Sequence, residues 1–506
     1  MTDTAAAPPD DPAATEVLGH PRGLATLFFT EMWERLSYYG MRALLVLFMT
    51  DQVMNGGLGL TDESATAIYG IYTALVYLVA LPGGWIADRL TGAQRAVFYG
   101  GIIIMCGHFV LAIPSVNAFF IGLLLVVLGT GLLKPNVSAI VGELYPPGDP
   151  RRDGGFSIFY MGINIGAMLG PLVCGSLAQS PSFGWHYGFA AAGVGMLFGV
   201  IQFRMTRRYL GGAGLAPAQA SGGLADAAER RRGWRIVGFG MAAVVAFVAL
   251  ALSGTIELDP LAISRTSTWI ILGVVTVFFA SMFLFGNLDI VEKKRVGVFI
   301  VLFLGSAMFW SGFEQAGSSL NLFADRYTEL ELGWITLFST WFQSVNSIFI
   351  ILFAPVFAWG WVWLAQRNLN PSTPAKFGLG LILLAVGFLM MVIASTIVAS
   401  GDKAMPTWLI LTYLFHTFGE LALSPVGLSA TTKLAPRRYV GQLMGVWFVS
   451  LALGNLIAGQ IAGDFDPDNL QAFPGQYWQI VLTTAGTGVI LLLLTRPLRK
   501  WMGGVK

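Results

Sequence analysis

The sequence predicts an all-α integral membrane protein: fourteen transmembrane helices, grouped as two six-helix bundles with two extra helices inserted between them, and both termini in the cytoplasm. Three observations predict it. Of 506 residues, 55% are hydrophobic and 11% charged, against about 25% charged in an average soluble domain. Apolar runs recur at 23–51, 64–88, 95–113, 117–143, 154–178, 184–208, 234–253, 268–288, 296–324, 333–364, 376–399, 405–433, 440–462 and 476–496, and about 20 such residues suffice to cross a bilayer. The basic residues are one-sided. With the N-terminal tail on side one, 24 of the 30 Lys and Arg fall on that side, three (Arg265, Arg326, Lys403) on the other, and three (Arg35, Arg42, Lys134) inside spans. Lys and Arg accumulate in cytoplasmic connections, so side one is the cytoplasm and the span count is even.

Taken in order, residues 1–22 are rich in Ala, Pro and Asp, show no signal-peptide pattern, and read as a disordered cytoplasmic tail. Residues 23–209 form the first bundle. Residues 210–233 are a polar cytoplasmic linker ending in Arg230-Arg231-Arg232, a basic run suited to anionic headgroups. Residues 234–288 are the inserted pair, without intramembrane charge until Asp289, and so expected to be peripheral and lipid-facing. Residues 289–506 are the second bundle and a short tail. A weak internal repeat relates the halves. Gly129-Thr130-Gly131-Leu132-Leu133-Lys134-Pro135 resembles Phe418-Gly419-Glu420-Leu421-Ala422-Leu423-Ser424-Pro425, and Tyr160 to Gly166 loosely resembles Phe448 to Gly459. Two six-helix halves are one repeat architecture of secondary transporters.

The intramembrane charges carry the chemistry. Glu31, Glu34, Arg35, Tyr38 and Arg42 fall at i, i+3, i+4, i+7 and i+11 and make one stripe on the first span. Each such charge costs roughly 2.5–3.5 kcal/mol at the middle of a membrane helix, so the stripe faces protein or water. A structural ion-pair cluster and an ion or substrate path both fit it. Lys134 lies beside Pro135 in the fourth span, and both a fixed Lys–Glu bridge and a lysine exchanging a proton or a substrate carboxylate fit. Glu314 opens the second half. Glu420 and Ser424 share a helix face, and an isolated Glu there can also serve as a neutral hydrogen-bond donor. Tyr77, Tyr160, Asn164, Asn346 and Trp447 fall mid-span beside these charges. Asp88 and Arg89, in the Gly83–Arg95 connection, can form a charge latch between helices. Cys106 and Cys174 read as packing residues, and no His, Cys or acidic spacing resembles a metal site. A net charge of +2 implies no nucleic-acid partner. No phosphate loop is present, so this chain does not read as an ATP-driven pump.

Glu31 to Gly40 looks like E-x-x-E-R-F-x-Y-Y-G, with Leu36 where Phe is usual. Phe159 to Gly166 looks like F-Y-x-x-I-N-x-G, and Gly83 to Arg95 resembles a loop motif of the major facilitator superfamily. On these residues the chain resembles the proton-dependent oligopeptide transporter family of that superfamily, over about residues 22–496. The resemblance implies the major facilitator fold with the two extra helices of bacterial members, and proton-driven import of di- and tripeptides by alternating access. It implies that Glu31, Glu34, Arg35 and Lys134 couple the proton, with Glu314 helping to gate and couple. Tyr38, Arg42, Tyr77, Lys134 and Asn164 would meet the carboxylate end and backbone of the peptide. Glu420, with Asn346, would meet the amino terminus, and Ser424 and Trp447 would line nearby pockets. Asp88, Arg89 and Tyr160 would serve gating and structure. Gly70 stands where animal members carry a histidine, so histidine-based coupling does not transfer. The short connection near 400–404 suits a prokaryotic member in the inner membrane. No cofactor or metal is implied, and a monomer is expected. The rival readings are another solute of the family, a peptide sensor, and an intramembrane enzyme. The enzyme would need a nucleophile–base pair, and the sensor would need a large extramembrane module.

Overall fold

The computed structural model describes residues 15–146, 148–217, 224–333 and 335–503, leaving aside the side chains of 224–226, 424–426 and 428. A two-stranded hairpin, β1 (Glu16–Val17) and β2 (His20–Pro21), comes first. Residues 16–21 lie within the stretch expected to be a disordered tail. Specific contacts hold them: His20 meets the Tyr145 hydroxyl at 2.9 Å, and Arg151 pairs with Glu16 at 2.7 Å and donates to Gly19 O. Arg151 also hydrogen-bonds Asp149, which holds that carboxyl below the usual carboxylate range.

The helices are α1 (Gly23–Thr50), α2 (Asp62–Ile86), α3 (Ala93–Leu111), α4 (Val116–Glu143), α5 (Arg152–Ala178), α6 (Trp185–Thr206), α7 (Leu224–Leu252), α8 (Pro260–Phe285), α9 (Ile290–Phe313), α10 (Ser319–Arg326), α11 (Phe342–Gln366), α12 (Thr373–Ala399), α13 (Pro406–Leu434), α14 (Val440–Gly463) and α15 (Phe473–Trp501). Among the described residues, twelve helical stretches are long and apolar enough to cross a membrane. The 28-residue α1 stands outside that set because Glu31, Glu34, Arg35 and Arg42 interrupt its apolar run. The 29-residue α13, which carries His416 and Glu420, also stands outside it. The run at 296–324 is not one straight helix: α9 gives way to a 3₁₀ turn at Glu314–Gly317 before α10.

Contacts divide the chain into one unit of Met1–Arg42 and Leu78–Leu258 and another of Ala43–Tyr77 and Asp259–Lys506. The division runs through α1 and α2 and between α7 and α8. The tip of the α1–α2 hairpin belongs to the second unit for specific reasons. Asp62 makes a two-pronged pair with Arg326 at 2.6 and 2.9 Å, and Asn321 donates to Ala43 O at 2.9 Å. Gly70 lies against the backbone of Asn455 and Gly459.

In the first unit the helices approach through glycine. A Cβ on Gly100 of α3 would lie 2.7 Å from Gly129 O of α4, and one on Gly129 would lie 2.7 Å from Gly100 O. Pro135 in α4 has no N–H, so it leaves Gly131 O without its helical partner. Gly83 of α2 packs on that carbonyl so closely that any Cβ would overlap it. Asn136 donates to Leu132 O at 2.7 Å and to Gly83 O at 3.4 Å, so the break is closed by polar contacts. Over α7, none of the apolar stretch is buried in protein, as expected of a lipid-facing helix.

The second unit repeats this geometry. Cβ atoms on Gly380 of α12 and Gly419 of α13 would lie 3.0 and 2.7 Å from one another's carbonyl oxygens. The repeat between Gly129–Pro135 and Phe418–Pro425 therefore includes a repeat of helix crossings. The second inserted helix departs from the lipid-facing expectation. Gln460 of α14 donates to Ser264 and Thr268 of α8 at 3.0 and 2.9 Å, and Val275, Phe279 and Met282 join the core of this unit. Small polar side chains and close packing hold membrane helices together where lipid removes the hydrophobic drive.

Gly83 and Gly84 give an internal control. Gly83→Ala places a methyl group on a carbonyl that cannot move, and is expected to destabilise by about 1–3 kcal/mol. At Gly84 the nearest atom to an added Cβ is Pro135 Cβ at 3.9 Å, so Gly84→Ala is expected to be neutral. Thermal unfolding of the two variants in detergent measures the difference; equal melting temperatures would contradict this account of the α2–α4 crossing.

Candidate functional site

The first unit holds the charged cluster. Glu31, Glu34 and Arg35 are 3%, 0% and 3% exposed. Arg35 Nε lies 3.0 Å from Glu31 Oε1 and is also in contact with Glu34 Oε2. Among the described residues, Glu34 Oε1 and Glu31 Oε2 have no hydrogen-bond donor. One guanidinium therefore serves two carboxylates. The Lys134 ammonium lies within electrostatic reach of Glu31. Arg35 stands over the Tyr38 ring at 5.3 Å and Arg42 over Tyr39 at 5.6 Å.

The second motif explains how this cluster stays covered. A Cβ on Gly166 of α5 would collide with Met32 O and lie 2.8 Å from Arg35 Cβ, and one on Gly170 would lie 2.5 Å from Leu36 O. Gly40 faces Gly170 O and the Cys174 thiol in the same way. The glycines of both motifs thus let α5 lie directly on the charged turns of α1. Asn164 is 4% exposed and donates back to Tyr160 O at 2.9 Å, while Tyr160 is 40% exposed.

Asp88 and Arg89 sit in a π-helical turn at Ala87–Thr91. Asp88 is within electrostatic reach of Glu143 and Arg89, and Arg89 lies against the Trp85 ring at 6.0 Å. Sequence reasoning missed what fastens this turn. Residues 211–215, expected to be the start of a linker, dock beside it, with Gly92 at the end of the turn lying against Leu215 O and Gly214 O. Gln94 donates to Ala213 O at 2.7 Å, Gly214 N donates to Glu143 at 2.7 Å, and Arg230 donates to Leu90 O at 3.4 Å. The signal was the glycine run. Gly214 has φ +65°, and its close neighbours Ile140 and Ala93 leave no room for a side chain.

The second unit holds the other candidates. Glu314, 3% exposed, begins the 3₁₀ turn after α9, and the next residue, Gln315, ties the turn to Ala458 O at 3.2 Å. Glu314 is within electrostatic reach of Glu420. Asn346 donates to Glu420 Oε2 at 3.1 Å and to Thr417 Oγ1 at 2.9 Å. Asn346 and Glu420 are half-buried, as is Tyr77, which packs against this unit's core. Trp447 is 4% exposed, between Gly427, Phe299 and Phe377, with ring centroids at 6.2 and 6.0 Å from the two phenylalanines. It is thus a core side chain of this unit. The Ser424 side chain lies outside the described residues.

The two units share a crossing but not its charges. Gly454 of α14 faces Ala307 O, Trp310 Cβ and Ser311 N of α9, as Gly166 faces Met32 O, Arg35 Cβ and Leu36 N of α1. Trp310 therefore stands where Arg35 stands, and Ser306 where Glu31 stands. Ser306 meets Ser450 at 2.8 Å, a neutral pair in place of an ionic one. Among the described residues, no cluster of His, Cys, Asp or Glu could hold a metal ion.

Comparison with known proteins agrees with this arrangement. The model of the family described as "PTR2: POT family" matches residues 94–474. A peptide transporter from Yersinia enterocolitica, YePEPT, is 42% identical over 98% of each chain. A di-/tripeptide transporter from Lactococcus lactis subsp. cremoris is 37% identical over 96% of this chain and 98% of its own. The crystal structure of a peptide transporter POT in complex with sulfate superposes with a TM-score of 0.88 at 43% identity, covering 97% of each chain. The fold is therefore that of the POT transporters within the major facilitator superfamily, the protein is a multi-pass membrane protein rather than an enzyme, and the chain belongs to the POT family.

Proposed function

We propose that this chain is a proton-coupled symporter that imports di- and tripeptides by alternating access. It would use fourteen transmembrane helices with both termini in the cytoplasm. The observation that carries the reading is the Glu31–Arg35–Glu34 cluster. Two buried carboxylates share one guanidinium, so together they hold one more negative charge than Arg35 neutralises. Lys134 lies close enough to supply the second positive charge, and a proton supplies it equally well. Exchange between these two partners shifts the proton affinity of the carboxylates, because an adjacent cation lowers it and desolvation raises it. That exchange is what coupling requires.

The substrate class follows from charge. The first unit offers Arg42 and Lys134 to a peptide's carboxylate, with Tyr38 and Asn164 beside them. The second offers Glu420, oriented by Asn346, to the ammonium group, with Glu314 close to it and Tyr77 and Trp447 in the same unit. A short peptide zwitterion carries one charge of each sign that these groups suit, and reading only its ends leaves side-chain choice broad. Asp88 and Arg89 would act as a cytoplasmic latch in the turn beside which residues 211–215 dock. All of these groups come from one chain, so the reading needs no second copy. The concentration of Lys and Arg in one set of connections supports the orientation. An amino acid derivative such as the 5-aminolevulinic acid held by one POT-family structure also has both ends. Competition against labelled dialanine separates the two.

Labelled dialanine is expected to accumulate in proteoliposomes under an inward proton gradient and to leak back when a protonophore is added. Glu34→Gln is expected to abolish accumulation while leaving peptide counterflow measurable. Gradient-driven accumulation by that variant at the wild-type level would remove Glu34 from coupling. At the other end, Glu420→Gln is expected to weaken binding of dialanine by about tenfold or more, in line with roughly 1.5–3 kcal/mol for a hydrogen bond to a charged group. Binding of N-acetyl-dialanine should change little. An equal loss for both ligands would remove the amino-terminus role.

A further inference from the structure

The orientation of Glu420 is set from behind. Asn346 Nδ2 donates to Thr417 Oγ1 at 2.9 Å and to Glu420 Oε2 at 3.1 Å. Thr417 Oγ1 itself donates to Tyr413 O at 2.7 Å. A hydroxyl has one proton. With that proton on Tyr413 O, Thr417 can only accept from Asn346. The choice between the two amide orientations of an asparagine is decided by such a network. Here the flipped amide would turn Oδ1 towards an oxygen with no proton left to give and towards a carboxylate. The NH₂ group must therefore face Thr417 and Glu420, and Oδ1 must face away from both. Thr417 is 0% exposed, whereas Asn346 and Glu420 are half-buried. The hydroxyl that decides the arrangement is out of reach of any ligand. Thr417 and Glu420 are three residues apart on α13, one face of the helix, which lets one amide on α11 span both.

We infer that Thr417 is a positioning residue for the substrate's amino terminus: it locks the Asn346 amide so that its NH₂ group holds the Glu420 carboxylate in place to accept an ammonium group. A doubly held amide also keeps the carboxylate in one rotamer before a ligand arrives. The inference rests on the reading of Glu420 as the contact for the amino terminus. The competing account is that Thr417 only back-bonds its own helix, as buried threonines commonly do, in which case the hydroxyl has no effect on ligand choice.

The readout is the ratio of inhibition constants for N-acetyl-dialanine and dialanine, measured against labelled dialanine in proteoliposomes. Thr417→Val keeps the side-chain shape, and Thr417→Ala is measured in parallel in case the valine variant does not fold. Either is expected to reduce the ratio by about fivefold or more, the scale of one lost hydrogen bond. Thr417→Ser is expected to keep it within about twofold. In a Glu420→Gln background, removing the hydroxyl is expected to add no further loss. A wild-type ratio in both hydroxyl-free variants, alongside a collapsed ratio in Glu420→Gln, would overturn the positioning role and leave the Glu420 reading intact. So would Thr417→Ser behaving like Thr417→Val. A wild-type ratio in Glu420→Gln itself would overturn the amino-terminus reading and this inference together.

Discussion

Two carboxylates on one guanidinium, inside a helix that must cross a membrane, are the constraint that the rest of the first unit answers. Isolated, each charge would cost roughly 2.5–3.5 kcal/mol at the bilayer centre. Breaking a buried pair by removing one partner typically costs about 3–5 kcal/mol. The cluster is therefore tolerable only if protein encloses it. Gly40, Gly166 and Gly170 provide the enclosure by letting the α5 backbone lie on the charged turns of α1. The two motifs, far apart in the chain, are one device: the first carries the charges, the second supplies a backbone surface thin enough to cover them. Lys134 reaches the same cluster from α4, next to a proline whose freed carbonyl is covered by Gly83.

The second unit uses the same crossing without the ions. Ser306 and Ser450 form a neutral hydrogen bond where the first unit has Glu31, and Trp310 replaces Arg35. Its acids sit elsewhere. Glu314 lies where α9 breaks, and Glu420 on α13 stands opposite Asn346 of α11. The repeat thus conserves backbone approach, which only small residues allow, and varies side-chain charge. That division puts two carboxylates on one guanidinium in the first unit and a carboxylate held by a neutral amide in the second.

Much of this was legible in the sequence because charge inside an apolar run is conspicuous. The fourteen apolar runs correspond to the long helices within a few residues at most ends, and the i, i+3, i+4 spacing placed Glu31, Glu34 and Arg35 together. What was not legible depends on partners distant in sequence. The break at Glu314–Gly317 lies in a run that is apolar on both sides, with no proline to announce it. The docking of residues 211–215 depends on Gln94 and Glu143, which are unremarkable polar residues until the chain folds back. The attachment of α8 depends on Gln460, Ser264 and Thr268, none of which looks like a contact alone. Trp447 was singled out as a mid-span aromatic, yet its ring fills the space over Gly427. Thr417 was invisible because threonine in a helix is ordinary; only the direction of its hydrogen bonds gives it a role.

The central claim is that the Glu31–Arg35–Glu34 cluster carries the proton that moves with the peptide. The most direct measurement is the internal pH of proteoliposomes, followed with an entrapped dye, after dialanine is added outside with no imposed pH gradient. The account predicts internal acidification in the wild type, cancelled by a protonophore. It predicts none in Glu31→Gln/Glu34→Gln, which should still exchange labelled peptide. Undiminished acidification in that double variant would contradict it.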